Sequence, residues 1–162
     1  MGQSVSTQSL TKHIEARMDE LSGVWVALPR NYEPGCAEAL GATVTGNRYF
    51  DCELGAWRIE LKKTRSGSMW FDLVRYSEAL ADPSLAHDVV TLVMRYTLVP
   101  VPQIRQVAII RHERLIEALR LTPDVAEAIA RLASNVPRSL NAQASLTWSD
   151  ITKAADSVVA RR

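Results

Sequence analysis

From Tyr49 to Lys63 the chain alternates apolar and polar residues on either side of a Gly55-Ala56 dipeptide, a pattern that few backbones accommodate. Successive side chains of a strand point to opposite faces, so strict alternation marks a strand with two unlike sides. A two-residue turn with glycine first is the type II′ preference and joins antiparallel strands. With Gly55 and Ala56 in that turn, Leu54 faces Trp57, Glu53 faces Arg58 and Cys52 faces Ile59; Asp51 then faces Glu60, and Phe50 faces Leu61. One face of the predicted hairpin holds Phe50, Cys52, Leu54, Trp57, Ile59 and Leu61. The other holds Tyr49, Asp51, Glu53, Arg58, Glu60 and Lys62. A one-residue slip would exchange the two faces, so the pattern specifies the register.

That register puts two carboxylates, Asp51 and Glu60, directly opposite one another, with Cβ atoms about 5 Å apart. Like charges so placed destabilise a sheet, and something must compensate. Lys62, two residues from Glu60 on the same face, is one candidate. A divalent cation is the other: a hard, oxygen-rich site suits magnesium, which takes one or two carboxylates and keeps several waters. Such an ion polarises a phosphate oxygen and acidifies bound water, and a neighbouring lysine can neutralise charge building on the phosphate. The alternative reading is a solvated polar face with mixed charges. Glu53 opposite Arg58 already has a partner, which leaves Asp51 and Glu60 for a metal, although Glu53 shares their face and remains a rival for the first acid.

Away from the hairpin the period is mostly helical. Leu10, Ile14, Met18 and Leu21 make one apolar stripe, predicting a helix over 9–22 closed by Gly23. Pro34 opens and Gly41 closes a short helix over 34–40. Residues 69–80 return to helical spacing, with Trp70 and Phe71 read as core and Asp72 pairing with Arg75 one turn away. The β-branched run 88–99 reads as a buried strand broken by Pro100 and Pro102. Residues 105–112 and 114–121 read as two strands around a His-Glu turn, the second also suiting a helix. Thr122-Pro123-Asp124 is a helix start combining a cap, an N1 proline and a first-turn acid. That helix runs to about 133, a loop fills 135–146, and a last helix capped by Thr147 or Ser149 covers 148–159. This succession predicts an α/β chain with a mixed sheet, a single domain over 1–162, its core over about 9–134 and a C-terminal helical extension over about 147–160.

Composition excludes several classes. No stretch approaches the roughly 20 apolar residues of a membrane helix, and the N-terminal residues lack the basic-then-apolar layout of a secretion signal, so a cytoplasmic protein without membrane contact is expected. The two cysteines, Cys36 and Cys52, form no CxxC pair and read as reduced, buried thiols. His13, His87 and His112 are scattered and expected at the surface. The net charge is only +1, but residues 48–75 concentrate six cations and four acids. No phosphate loop, dinucleotide fingerprint or serine triad is present.

Asp51 on one strand, Glu60-Leu61-Lys62 on the next and a helix after it resemble the PD-(D/E)xK nuclease superfamily, with Phe50 where the motif's name has proline. The order of elements over roughly 9–134 is similar to that of small type II restriction endonucleases. The resemblance implies a restriction-endonuclease-like mixed central β-sheet flanked by helices, double-stranded DNA as substrate, Mg2+ as cofactor and a homodimer matched to a palindromic site. It implies Asp51, Glu60 and Lys62 as catalytic residues. Asp51, Glu60 and a backbone carbonyl, that of Leu61 or Ile59, would bind the metal, with Glu15 or Glu20 of the first helix as possible additional acids. The basic loop Lys63, Thr64, Arg65, Ser66 and Ser68 is the candidate DNA contact, or else a solvated turn. Two other readings stand beside the restriction enzyme: a Holliday-junction resolvase or repair nuclease of the same fold, and a non-enzymatic DNA- or partner-binding domain.

Overall fold

A computed structural model describes residues 7–26, 31–65, 67–82, 89–135 and 142–161. Its elements run α1 (Thr7–Glu15), α2 (Met18–Trp25), α3 (Glu33–Leu40), β1 (Thr43–Val44), β2 (Cys52–Leu54), β3 (Trp57–Thr64), β4 (Ser68–Asp72), α4 (Leu73–Leu80), β5 (Val89–Thr97), β6 (Gln103–Arg111), α5 (His112–Ala118), α6 (Pro123–Asn135), β7 (Gln143–Thr147), α7 (Trp148–Ala154) and β8 (Ser157–Ala160). The expected mixed α/β architecture is present. Six strands form one sheet in the order β1-β2-β3-β5-β6-β8, and β4 with β7 forms a separate two-stranded ribbon. Within the large sheet β3 and β5 are parallel and the other neighbours antiparallel. A parallel pair needs a crossover, and β4 with α4 supplies it.

The hairpin forms in the register read from the alternation: Cys52 pairs with Ile59, Glu53 with Arg58 and Leu54 with Trp57. Gly55 has φ +58°, a conformation that a β-carbon would strain and the one a type II′ turn demands at its first central residue. The ladder stops at Cys52. Asp51 N–H donates to the Ile59 carbonyl at 2.8 Å, one residue out of step, so the chain leaves the regular alternation there. Phe50 consequently sits on the side opposite its expected one. It packs against Ala79 of α4 with its ring 5.7 Å from the Arg58 guanidinium, away from Cys52 and Ile59.

Both faces of the sheet are covered. On one, Cys52, Trp57, Ile59 and Leu61 join Val90, Leu92, Met94 and Val107 under α1, α2 and α3. On the other, Val93, Ala108 and Ile110 meet Phe71 of the ribbon, Tyr76 of α4 and the apolar sides of α5 and α7. The first-helix stripe is buried as expected, but α1 and α2 are two helices, parted at Ala16-Arg17, and Gly23 lies inside the second. Gly41 closes α3 in the left-handed conformation, and Thr122 Oγ1 accepts from Val125 N–H at 3.2 Å at the start of α6. Cys36 and Cys52 are free and fully buried, and burial pushes both thiols up to about 12.

Four local expectations change. Residues 68–72 are a strand, not the first turns of a helix: Met69 and Phe71 turn inward and pair across to Leu146 and Ala144, while Trp70 is 62% exposed rather than core. Helix α5 replaces the second of the two strands expected after residue 105. Part of the supposed loop 135–146 is β7, whose pairing with β4 lies some 75 residues away in sequence and leaves no local signature. The last helix ends at Ala154. Its Thr147–Asp150 capping box forms as anticipated, but residues 157–160 are β8, paired with β6, so the C-terminal segment is part of the sheet and not a helical extension. No helix among the described residues is long and apolar enough to cross a membrane.

Candidate active site

Asp51, Glu60 and Lys62 come together where β2 diverges from β3. Asp51 does not sit in ladder pairing with Glu60. Having left the ladder, it uses its side chain in place of a strand partner: Leu61 N–H donates to Asp51 Oδ2 at 2.7 Å. A buried amide needs an acceptor, and the carboxylate provides one where the neighbouring backbone has turned away. Of the two candidate first acids, Asp51 is therefore the one drawn against the acid-x-lysine strand, whereas Glu53 stays exposed on the regular ladder opposite Arg58.

Glu60 is 6% exposed, because the face expected to be merely polar is roofed by β4 and α4. Its Oε1 accepts from Arg75 Nη2 at 2.9 Å. Oε2 is buried and has no hydrogen-bond partner among the described residues. Burial pushes the Glu60 carboxyl up to about 7, with the Arg75 guanidinium opposing that rise and the Asp51 charge adding to it. Asp51 is raised too, chiefly by burial, with the Leu61 N–H holding it back and Glu33 pushing it further. Burial also lowers the Lys62 ammonium, which lies 5.2 Å from the centre of the Phe71 ring, while Glu60 opposes that lowering. The result is two carboxyls and an amine, all held away from their usual values chiefly by burial.

Arg75 was not assigned to this cluster by the sequence. Asp72, expected to pair with it, instead caps α4, accepting from the Val74 and Arg75 N–H groups at 3.0 and 3.4 Å. The signal was available: an aspartate directly before an apolar helical run is an N-cap. Glu33, at the start of α3, was also missed, and its effect on Asp51 marks it as a neighbour of the site. The first-helix acids Glu15 and Glu20 are exposed. Among the described residues no three or more His, Cys, Asp or Glu side chains are grouped to hold a metal ion.

The basic loop divides. Lys63 turns to the opposite face of β3, donating to the Trp25 carbonyl at 2.9 Å and lying 4.4 Å from the Tyr32 ring centre. Thr64 is buried and its hydroxyl donates to the Ser68 carbonyl at 2.9 Å, while Arg65 is exposed. Ser66 lies outside the described residues, as does His87. The other histidines are not simply surface groups. His112 is 8% exposed and stacks on Tyr76 with ring centres 6.2 Å apart, and His13 Nε2 is 2.6 Å from the Leu40 carbonyl oxygen.

No family model, curated protein or solved structure matches the chain.

Proposed function

We propose that the chain is a Mg2+-dependent endonuclease that hydrolyses phosphodiester bonds in double-stranded DNA, a type II restriction enzyme acting as a homodimer on a specific site. The observation that carries this reading is the Glu60 carboxylate, buried beside Asp51 and Lys62 with one oxygen bound to Arg75 and the other without a hydrogen-bond partner among the described residues. A buried anionic oxygen left unpaired is costly, and a hard cation is the ligand it suits. Asp51, Glu60 and the Leu61 carbonyl would hold that ion; the Ile59 carbonyl is already taken by Asp51 N–H. When bound, the magnesium supplies electrophilic activation of the phosphate and an acidified water.

The chain's own groups do the rest. Lys62, on the same side of β3 as Glu60 and with a depressed ammonium, orients the attacking water or neutralises the charge that develops on the phosphate. The Asp51–Leu61 hydrogen bond keeps the first acid in place. Roofing by Phe71 and α4 keeps the surroundings dry, which strengthens each electrostatic contact. The topology agrees with the restriction-endonuclease-like reading: an antiparallel hairpin carries the acids and the lysine, and a helical crossover returns the chain to a parallel strand.

The test is digestion of plasmid and linear duplex DNA with Mg2+, followed by sequencing of the ends. Discrete fragments are expected, and Lys62→Ala should lower the rate by about two to four orders of magnitude. Equal cleavage by Lys62→Ala overturns the assignment, and cutting confined to branched DNA turns it toward a resolvase.

A second reading has its own support. The Arg75–Glu60 pair and the Asp51–Leu61 bond give both acids structural work, as in a non-catalytic domain with a buried ionic lock. In that case Mg2+ leaves the melting temperature unchanged; in the nuclease it raises it, and Glu60→Gln abolishes the rise.

A further inference from the structure

Among the described residues, the most exposed apolar segment is the tip of the β5–β6 hairpin. Leu98, Val99, Pro100, Val101 and Pro102 are consecutive and all exposed, with Leu98, Val99 and Val101 at 40%, 81% and 57%. Scattered apolar residues at a surface are ordinary, but an unbroken exposed run of this kind lowers solubility and is retained where it serves a contact. Both prolines restrict the backbone, so the tip loses little freedom when it docks.

The surroundings of the tip are cationic. Residues 89–112, which make up both arms and the tip, contain Arg95, Arg105 and Arg111 and no acid. The adjoining end of β3 is similar: residues 61–71 contain Lys62, Lys63 and Arg65 and no acid. The two segments meet in space, since Thr64 pairs with Arg95 and the Lys63 ammonium lies 5.5 Å from the Tyr96 ring centre. Arg65 and Arg105 are both exposed at this end of the sheet. An apolar prow flanked by arginines, in two segments that contain no acid, complements a polyanion whose interior is apolar; the acid that comes near, Asp19 of α2, is paired with Arg161 behind Arg105. Duplex DNA answers that description, with phosphates for the arginines and a base stack for the valines.

We propose that the Leu98–Pro102 tip is a wedge that enters the minor groove of duplex DNA, unstacks a base step and bends the duplex, while Arg65 and Arg105 hold the flanking phosphates. The choice of DNA as occupant rests on the nuclease reading of the Asp51–Glu60–Lys62 site. Glu60 is level with Thr91, and from Thr91 the chain runs to the end of β5 at Thr97 and on to Val99, eight residues away and about 25 Å along the sheet. The bend therefore falls about seven base pairs from the scissile bond at 3.4 Å per step.

The experiment uses the full chain in EDTA, so that binding is read without cleavage, and a short random-sequence duplex pool labelled at both ends with a fluorescent donor and acceptor. Wild-type protein should bind and raise energy transfer. The double variant Val99→Ser/Val101→Ser should bind about ten-fold more weakly and lose the energy-transfer change. Its far-ultraviolet circular dichroism should match wild type, because both side chains are exposed. Binding and bending unaltered in the double variant overturn the proposal. So does wild-type protein that ignores the duplex, or that instead binds phosphatidylserine-containing vesicles through the same two valines. Tip-dependent bending in a protein that never cleaves with Mg2+ keeps the wedge and removes the nuclease.

Discussion

The two sides of β3 come from alternate residues of one eight-residue strand, and they are stabilised in opposite ways. Trp57, Ile59 and Leu61 are each no more than 2% exposed and sit in a continuous apolar core with α1, α2 and α3. On the other side Glu60 is buried under α4 with the ion pair from Arg75, while Lys62 beside Phe71 and Arg58 beside Phe50 are half-buried. The first side gains from every square ångström removed from water. The second loses hydration of charged groups and regains only part of it, since Glu60 Oε2 remains unpaired among the described residues. Side-chain polarity therefore tells which way a residue points, not whether water reaches it.

The sharpest way to break this comparison is to cut into the apolar side. Trp57→Ala should cost about 3–5 kcal/mol in urea unfolding, because a fully packed ring leaves a cavity that the sheet and helices cannot close. A loss below about 1 kcal/mol would mean that this face is not the rigid one.

On the polar side Arg75→Met should cost about 3 kcal/mol at pH 8, since it strands a buried carboxylate. At pH 5 the loss should shrink, because Glu60, raised to about 7, is then protonated and needs no counter-charge. A pH-independent loss would mean that Arg75 acts through packing alone.

Glu60→Gln probes the same carboxyl from the other direction, in EDTA. A carboxyl raised from 4.5 to about 7 binds its proton more tightly in the folded chain than in the unfolded one. Its contribution to stability is complete below pH 4.5 and disappears as the pH rises through 7. Wild type should therefore lose roughly 2 kcal/mol relative to Glu60→Gln between pH 5 and pH 8. Parallel melting curves for the two proteins across that range would show that Glu60 titrates normally.

The smallest effect lies at the turn that keeps the two faces apart. Gly55→Ala should cost about 1 kcal/mol, because φ +58° strains a residue with a β-carbon. It should lower the melting temperature slightly without exchanging the faces.

The sequence by itself determined the features whose causes lie within a few residues. The glycine-first turn and the alternation around it set the β2–β3 register; Pro34, Gly41, Thr122 and Thr147 marked helix ends that form where anticipated. It also brought Asp51, Glu60 and Lys62 into one neighbourhood, since a hairpin is a local object. Only the tertiary structure decided what depends on distant partners. Residues 68–72, 143–147 and 157–160 are strands because edges elsewhere in the chain pair with them, and isolated segments of that length carry no such information. Asp51 turned from a ladder residue into an acceptor for Leu61 N–H because β2 diverges from β3 at that point. Above all, the burial of Glu60 and its pairing with Arg75 follow from α4 closing over the polar face of the hairpin. Alternation records the direction of a side chain, whereas its solvation is set by whatever the rest of the chain lays over it.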